Sequence, residues 1–420
     1  MSERILLCLA HMSGKEMDFI KEAFDQNWVV PLGPNVNGFE KDLEEFVNRR
    51  EGAGPLHKRV VALSAGTAAV HLSLIACGVG PGDEVLVQSF TFCASSHPVT
   101  YLGATPVFVD SEKESWNMDP ELLEEAIKDR IEKTGKKPKA IIPVALYGMP
   151  YQIDRIMEIA NRYEIPVIED AAEGFGSMYK GQVLGTFGEY GVLSFNGNKM
   201  ITTSGGGALV CPDADKAREI LWYATQARES YPYYQHEAIG YNYRMSNICA
   251  GIGRGQMTVV DEHIAHHRHV QALYEELLKD VEGITMHTNP GPDYDSNFWL
   301  CTATLDPDLK IKGQENAYKQ VITGAVGGAA GVTHTVATAT TDCQPNDNVE
   351  ALRMALDAAN IESRPLWKPM HKQPVYRDNP AYTNGVSESL FKVGICLPAG
   401  PWVTDEHVRY IVDSIKAAID

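Results

Sequence analysis

Basic residues are in short supply: 37 lysines and arginines stand against 55 aspartates and glutamates, a formal net charge of -18. That balance argues against nucleic acid as a partner, because proteins that grip a phosphate backbone present a basic face. Anionic small molecules stay open, since a site needs only local cations and oriented backbone amides. Long hydrophobic runs are missing too. The opening stretch MSERILLCLAHMSGKEMDF is too briefly apolar to span a bilayer and has no signal-peptide cleavage pattern. The cysteines, at positions 8, 77, 93, 211, 249, 301, 343 and 396, include no C-x-x-C pair. Reduced thiols in a cytoplasmic protein are therefore expected. There is no H-E-x-x-H, and no metal is expected. No internal repeat is visible.

What remains is an ordinary globular composition, 44% hydrophobic and 22% charged over 420 residues, enough for one large core and a smaller one. Between residues 59 and 210 short apolar runs alternate with helical patterns. RVVALSAGT, EVLVQSF, TPVFVD, KAIIPVALYG, IPVIEDAA and YGVLSF read as strands, with TAAVHLSLIACGV, PELLEEAIKDRIEK and IDRIMEIANRYE as helices. This alternation predicts an α/β fold with a mainly parallel sheet covered by helices, its ligands at the carboxyl ends of the strands. Residues 257–282 read as a long helix leading into a smaller α+β domain built from SNFWLCTATL, NVEALRMALDAANIES and DEHVRYIVDSIKAAID. The expected division is 1–257 and 258–420. Residues 322–347, rich in Gly, Ala, Thr and Val, read as an irregular loop or an edge hairpin.

Three strand ends carry chemistry. In SAGTAAVH the chain turns from strand to helix at Gly66-Thr67, where free helix-start amides beside a hydroxyl form an anion seat; an ordinary Thr67 N-cap fits the same residues. In PVIEDAAEGFGS, Asp170 could be a base, a metal ligand, a helix cap or the partner of a protonated ring nitrogen. In SFNGNKMITTSGGGALV, Lys199 sits between a strand end and three glycines, with Ser194 five residues before it. A lysine amine is only a point charge unless its surroundings change its pKa or a carbonyl captures it as a Schiff base. Pyridoxal phosphate needs all three parts: a phosphate cup, an acid for its pyridine nitrogen and a lysine for its aldehyde. A cluster of His263, His266, His267 and His269 has ligand-like spacing, but Arg268 and nearby acids point to a solvated helix face.

The succession SAGTAAVHLSL, GPGDEVLVQSFTFCAS, GATPVFVD, VALYGMP, PVIEDAAEGFGS, SFNGNKMITTSGGGALV and YNYRMSNICAG resembles the DegT/DnrJ/StrS nucleotide-sugar aminotransferases. The resemblance runs from about residue 28 to the end and is weakest over 311–348. It implies the aspartate-aminotransferase-like fold (fold type I) and pyridoxal 5'-phosphate as cofactor, with pyridoxamine phosphate during turnover. By position, Lys199 is implied to bind the cofactor and move protons, and Asp170 to keep the ring nitrogen protonated. Gly66, Thr67, Ala68 and Ser194 are implied to hold the phosphate, and Phe92 to cover the ring. Glu173 falls where many members have Gln or His near the ring oxygen, a departure. Asn242 matches a residue that reaches the cofactor phosphate of a neighbouring subunit, which implies a homodimer with shared sites. Arg364, Lys368 and His371, in SRPLWKPMHKQPVY, are implied substrate contacts, and Arg244 either binds substrate or braces its loop. The implied reaction moves an amine from L-glutamate to a nucleotide-linked keto sugar for surface glycan or glycoprotein sugars. C4 of a UDP-2-acetamido-4-keto-2,6-dideoxyhexose is expected. GDP-4-keto-6-deoxymannose, 3-keto sugars, a sugar dehydratase and a non-catalytic regulator are the alternatives.

Overall fold

The computed structural model describes residues 3–318 and 343–420, and the backbone of 322–325 and 333–336. One sheet organises the first part of the chain. Its strands are β1 (Arg59–Leu63), β2 (Glu84–Gln88), β3 (Thr105–Val109), β4 (Ala140–Ile142), β5 (Ile168–Asp170), β6 (Tyr190–Ser194) and β7 (Gly207–Cys211). Hydrogen bonding runs β1-β7-β6-β5 and β4-β2-β3, and parallel bridges Ile141–Val167 and Val144–Asp170 join the two halves. Only β7 runs against its neighbours β1 and β6. It follows that β1, β5 and β6 all point their carboxyl ends to the same edge.

These strands read as continuous apolar runs because both faces are covered. Alternate side chains leave a strand on opposite sides, and the packing shows it: Val60, Ala62, Leu86 and Ile141 enter one core, with Phe39 and Leu43 of α2 (Pro34–Val47), the helix that follows α1 (Glu16–Asp25). Val61, Leu63, Val85, Val87 and Ile142 enter the other, with Val70, Leu72 and Leu74 of α3 (Gly66–Ala76).

Helix α4 (Asn247–Met257) leads to the long α5 (Val260–Leu278) and then to a second, antiparallel sheet. There Ile284–Met286, Cys301–Leu305, Gly394–Leu397 and Arg364–Pro365 lie in that order, against helices α6 (Asp347–Ala358) and α7 (Asp405–Ala418). Val408, Ile411, Val412 and Ile415 recur at helical spacing along α7 and fill this core with Tyr274, Leu278, Leu352 and Leu356. Two segments cross between the parts: Ile5 joins the second core, and Ala381–Tyr382 pairs in parallel along β3.

The histidine cluster is not the solvated face expected. His263 and His267 are buried in α5, and burial pushes His267 down to about 3. Its flank is covered by the N-terminal segment and by residues 400–403: His11 lies edge-on to His263, and His266 bonds the Val403 carbonyl. His269, on the exposed side, pairs with Asp405 at 2.7 Å. Of residues 322–347, Ile322–Ala325 and Thr333–Val336 pair antiparallel as a two-stranded ribbon, with no third strand among the described residues. The rest of that stretch up to 342 lies outside the described residues.

Candidate active site

The shared carboxyl edge of β1, β5 and β6 gathers the chemistry. Gly66 starts α3, with only Ser64 and Ala65 between it and β1; the helix is preceded by Ala65 in extended conformation, and no side chain caps it. Thr67 is therefore inside the first turn and is not the cap. The amides at the start of this turn have no intrahelical acceptor, and the helix dipole adds positive potential there. Ser194, the last residue of β6, stands against this turn: a Cβ built on Gly66 would meet the Ser194 Cβ at 3.0 Å and its Oγ at 3.3 Å. Gly207 is glycine for a similar reason. A Cβ there would lie 2.4 Å from the Gly66 nitrogen, so only glycine lets β7 pass the helix start.

Asp170 ends β5 and is 4% exposed. It caps no helix; Oδ1 accepts from the Ala172 N–H at 3.1 Å and Oδ2 from the Ser95 hydroxyl at 2.6 Å. Burial pushes its carboxyl above the usual range, while Ser95, Ala172 and the Lys199 charge act against the rise. Glu173 follows in the same turn, equally buried. Its Oε2 accepts from the Tyr147 N–H at 2.7 Å and its Oε1 takes a hydrogen bond from Lys199 Nζ at 3.2 Å. Burial raises Glu173 to about 7 against the pull of Lys199 and Tyr147, and neighbouring Asp170 adds to the rise.

Lys199 itself lies in the turn between β6 and β7, its side chain 13% exposed. Its N–H bonds the Asn196 carbonyl at 3.0 Å, and Thr203 N–H returns to Phe195 at 2.9 Å, closing the turn. The long 364–372 segment docks on the same edge: Met370 N–H bonds Ser89 just past β2, and His371 Nδ1 lies 2.6 Å from the Ser89 hydroxyl. Burial holds the His371 imidazole below its usual range. Phe92, 55% exposed, leans on Trp367 with ring centroids 5.5 Å apart.

The structure thus brings Lys199, Asp170 and Glu173 into one group, with Gly66, Thr67, Ala68 and Ser194 at the adjoining strand ends. His371 and Phe92 line the same edge, with Lys368 half-buried on the docked segment. Asn242 is exposed and bridges Thr225. Arg364 is exposed and pairs with Glu362 at 2.9 Å. Arg244 is partly buried, and its guanidinium is engaged: it pairs with Glu40 and donates to the Ala62 carbonyl at 3.0 Å. Sequence reasoning missed Ser95, Tyr147, Asn297 and Trp299; only the quoted SFTFCAS, VALYGMP and SNFWL stretches hinted at them.

These residues fit pyridoxal phosphate: an amine, a buried acid held by a hydroxyl, and an uncapped helix start where glycine leaves room. Comparison with known proteins agrees. The profile of the DegT/DnrJ/EryC1/StrS aminotransferase family matches residues 11–320 and 314–416. EpsN of Bacillus subtilis (strain 168), provisionally named a pyridoxal phosphate-dependent aminotransferase, is 41% identical over 420 residues, covering 98% of this chain and 95% of EpsN. A GDP-perosamine synthase of Escherichia coli O157:H7 is 33% identical, over 96% of each chain. The crystal structure of a DegT DnrJ EryC1 StrS aminotransferase from Brucella abortus superposes with a TM-score of 0.80 at 27% identity, over 96% of this chain and 95% of that one. The chain belongs to the DegT/DnrJ/EryC1/StrS aminotransferase family and is a pyridoxal phosphate-dependent nucleotide-sugar aminotransferase.

Proposed function

We propose that this enzyme transfers the amino group of L-glutamate to C4 of a UDP-2-acetamido-4-keto-2,6-dideoxyhexose, for surface glycan or glycoprotein sugar synthesis. The observation that carries the transamination is the meeting of Lys199 Nζ with the Glu173 carboxylate at 3.2 Å, beside buried Asp170 and the open start of α3. When bound, pyridoxal phosphate supplies an aldehyde for amine exchange and a ring that accepts electrons. Lys199 would hold it through Nζ, and the same amine would be the group that moves protons at the substrate carbon. Asp170 keeps the ring nitrogen protonated, since a carboxylate beside a cation favours both charged forms. Amides of Gly66, Thr67 and Ala68, with the Ser194 hydroxyl, hold the phosphate. Phe92 would serve as the aromatic over the cofactor, and Glu173 would be the carboxylate available to it beside Lys199. Arg364, Lys368 and His371 share the segment that would meet the substrate's anionic groups, whereas Arg244 braces the site through Glu40.

The active form in this reading is a homodimer. Asn242 is exposed, and Tyr231, Tyr233, Tyr234 and Ile239 expose an apolar surface on the loop just before it; such a patch suits a second copy that shares the site. The proposed division into 1–257, which carries the cofactor, and 258–420 keeps the lysine, the acid and the phosphate cup in one unit.

The UDP-linked C4 choice is supported by the SFNGNK and RPLWKPMH stretches. A second reading, GDP-4-keto-6-deoxymannose, is favoured by relatives named GDP-perosamine synthase at 33% identity. Purified enzyme tested with L-glutamate against UDP-, GDP- and dTDP-linked keto sugars separates these. Amination of the UDP sugar at C4 is expected; amination of the GDP sugar alone, or at C3, overturns the choice.

A further inference from the structure

Two side chains from distant parts of the chain close on the Lys199 amine. Glu173 Oε1 is 3.2 Å from Nζ, and the centroid of the Trp299 ring is 4.0 Å from it. We propose that Trp299 and Glu173 form a seat for the Lys199 ammonium, and that Trp299 is a positioning residue that keeps the amine beside the cofactor whenever Nζ is not bonded to it. This rests on the assignment of Lys199 made above.

The seat suits an ammonium. A carboxylate accepts a hydrogen bond from the Nζ ammonium, and the face of an indole, the strongest aromatic partner for a cation, lies toward the charge. Trp299 is 2% exposed, so the attraction acts away from water. Its orientation is fixed at both ends. The indole N–H donates to the carbonyl of Asn198, the residue before the lysine, at 2.6 Å. Its backbone N–H donates to Asn297 Oδ1 at 2.8 Å, and Asn297 Nδ2 donates to the carbonyls of Glu173 and Phe175 at 2.8 and 2.9 Å. One asparagine therefore ties the segment bearing the ring, just before the strand Cys301–Leu305, to the turn bearing the carboxylate.

Backbone strain marks the same spot. Phe298, between Asn297 and Trp299, has φ 48, and Tyr147, whose N–H holds Glu173, has φ 54. Bulky residues adopt this left-handed conformation only where surrounding contacts impose it, and such strain clusters at functional sites. Gly148 completes the clamp, since a Cβ there would lie 1.9 Å from Asn297 Oδ1. A tryptophan that merely filled the core would need neither its face over a charge nor its N–H on the lysine's own turn.

The test reads an equilibrium and not a rate. Stabilising the unbonded amine favours the form in which glutamate has given up its nitrogen and the blue-violet absorbance of the lysine-bound cofactor has gone. Holoenzyme is titrated with mixtures of L-glutamate and 2-oxoglutarate, and the ratio that removes half the band is recorded. Trp299→Leu should raise that ratio about fivefold, equal to about 1 kcal/mol. Trp299→Phe, which keeps an aromatic face, should raise it less; Glu173→Gln should raise it as well. Borohydride reduction and peptide mass analysis of the parent protein report the attachment separately. A cofactor adduct away from Lys199 overturns the lysine assignment and the seat together. An adduct on Lys199 with a ratio unmoved in the Trp299 and Glu173 variants that fold overturns the seat alone.

Discussion

At Asp170 two roles compete for one carboxyl. Burial favours the neutral acid, while Ser95, Ala172 and the Lys199 charge favour the anion; in the proposed role, a protonated ring nitrogen beside it would favour the charged form. Asp170→Asn should therefore bind pyridoxal phosphate more weakly and stall proton removal from glutamate. Cofactor dissociation followed by absorbance, with single-turnover kinetics, checks this, and unchanged values for both would assign the role to another acid. Glu169, one residue earlier, points away from the site and accepts from the N–H groups of Gly185 and Phe187 at 2.7 and 3.0 Å. Burial lifts it from 4.5 to about 7 despite those bonds. The unfolded chain thus loses this proton first, and the contribution of Glu169 to stability falls as pH rises from about 4.5 to about 7. Melting temperatures across that window should decline less steeply in Glu169→Gln than in the parent. Parallel profiles would show that Glu169 does not titrate in this way. Lys199, Asp170 and Ser194 were legible in the sequence because each follows or ends an apolar strand. Asn297 and Trp299 were not: they sit about a hundred residues further on and reach the lysine only through tertiary packing.

The strands were the most readable elements, since burial on both faces leaves runs such as VLV and AII with little else to be. Helix α5 was readable as a helix but not in its exposure. Its histidines resemble a polar face, and only the returning chain at His11 and Val403 covers them. The glycines after Lys199 signalled tight turns, but their main constraint is a close approach. At Gly207 a methyl group would press on the backbone of Ala65 and Gly66. We expect Gly207→Ala to cost about 1–3 kcal/mol, as overpacking does. It should lower the urea midpoint with the slope unchanged, and it should also weaken phosphate binding by displacing the start of α3. An unshifted midpoint would contradict the close contact.

Over the whole molecule, the alternating pattern pointed to a helix-covered, mainly parallel sheet and a smaller second unit, and the sheet was found as expected. The crossing of Ile5 and Ala381–Tyr382 between the parts could not be read, because two-residue pairings carry no periodic signal. Sedimentation should give a dimer for the parent protein, and Tyr234→Glu combined with Ile239→Glu should shift it toward monomer and lower activity together. A monomer with full activity would refute shared sites. The proposed chemistry depends on the amine at 199. Its most direct test is the absorbance of purified holoenzyme with and without L-glutamate, beside that of Lys199→Ala. The parent should show a blue-violet band that glutamate bleaches. The variant should lack that lysine-bound band and lose transamination about 10²–10⁴-fold or more. A variant with the same band, the same bleaching and undiminished turnover would contradict it.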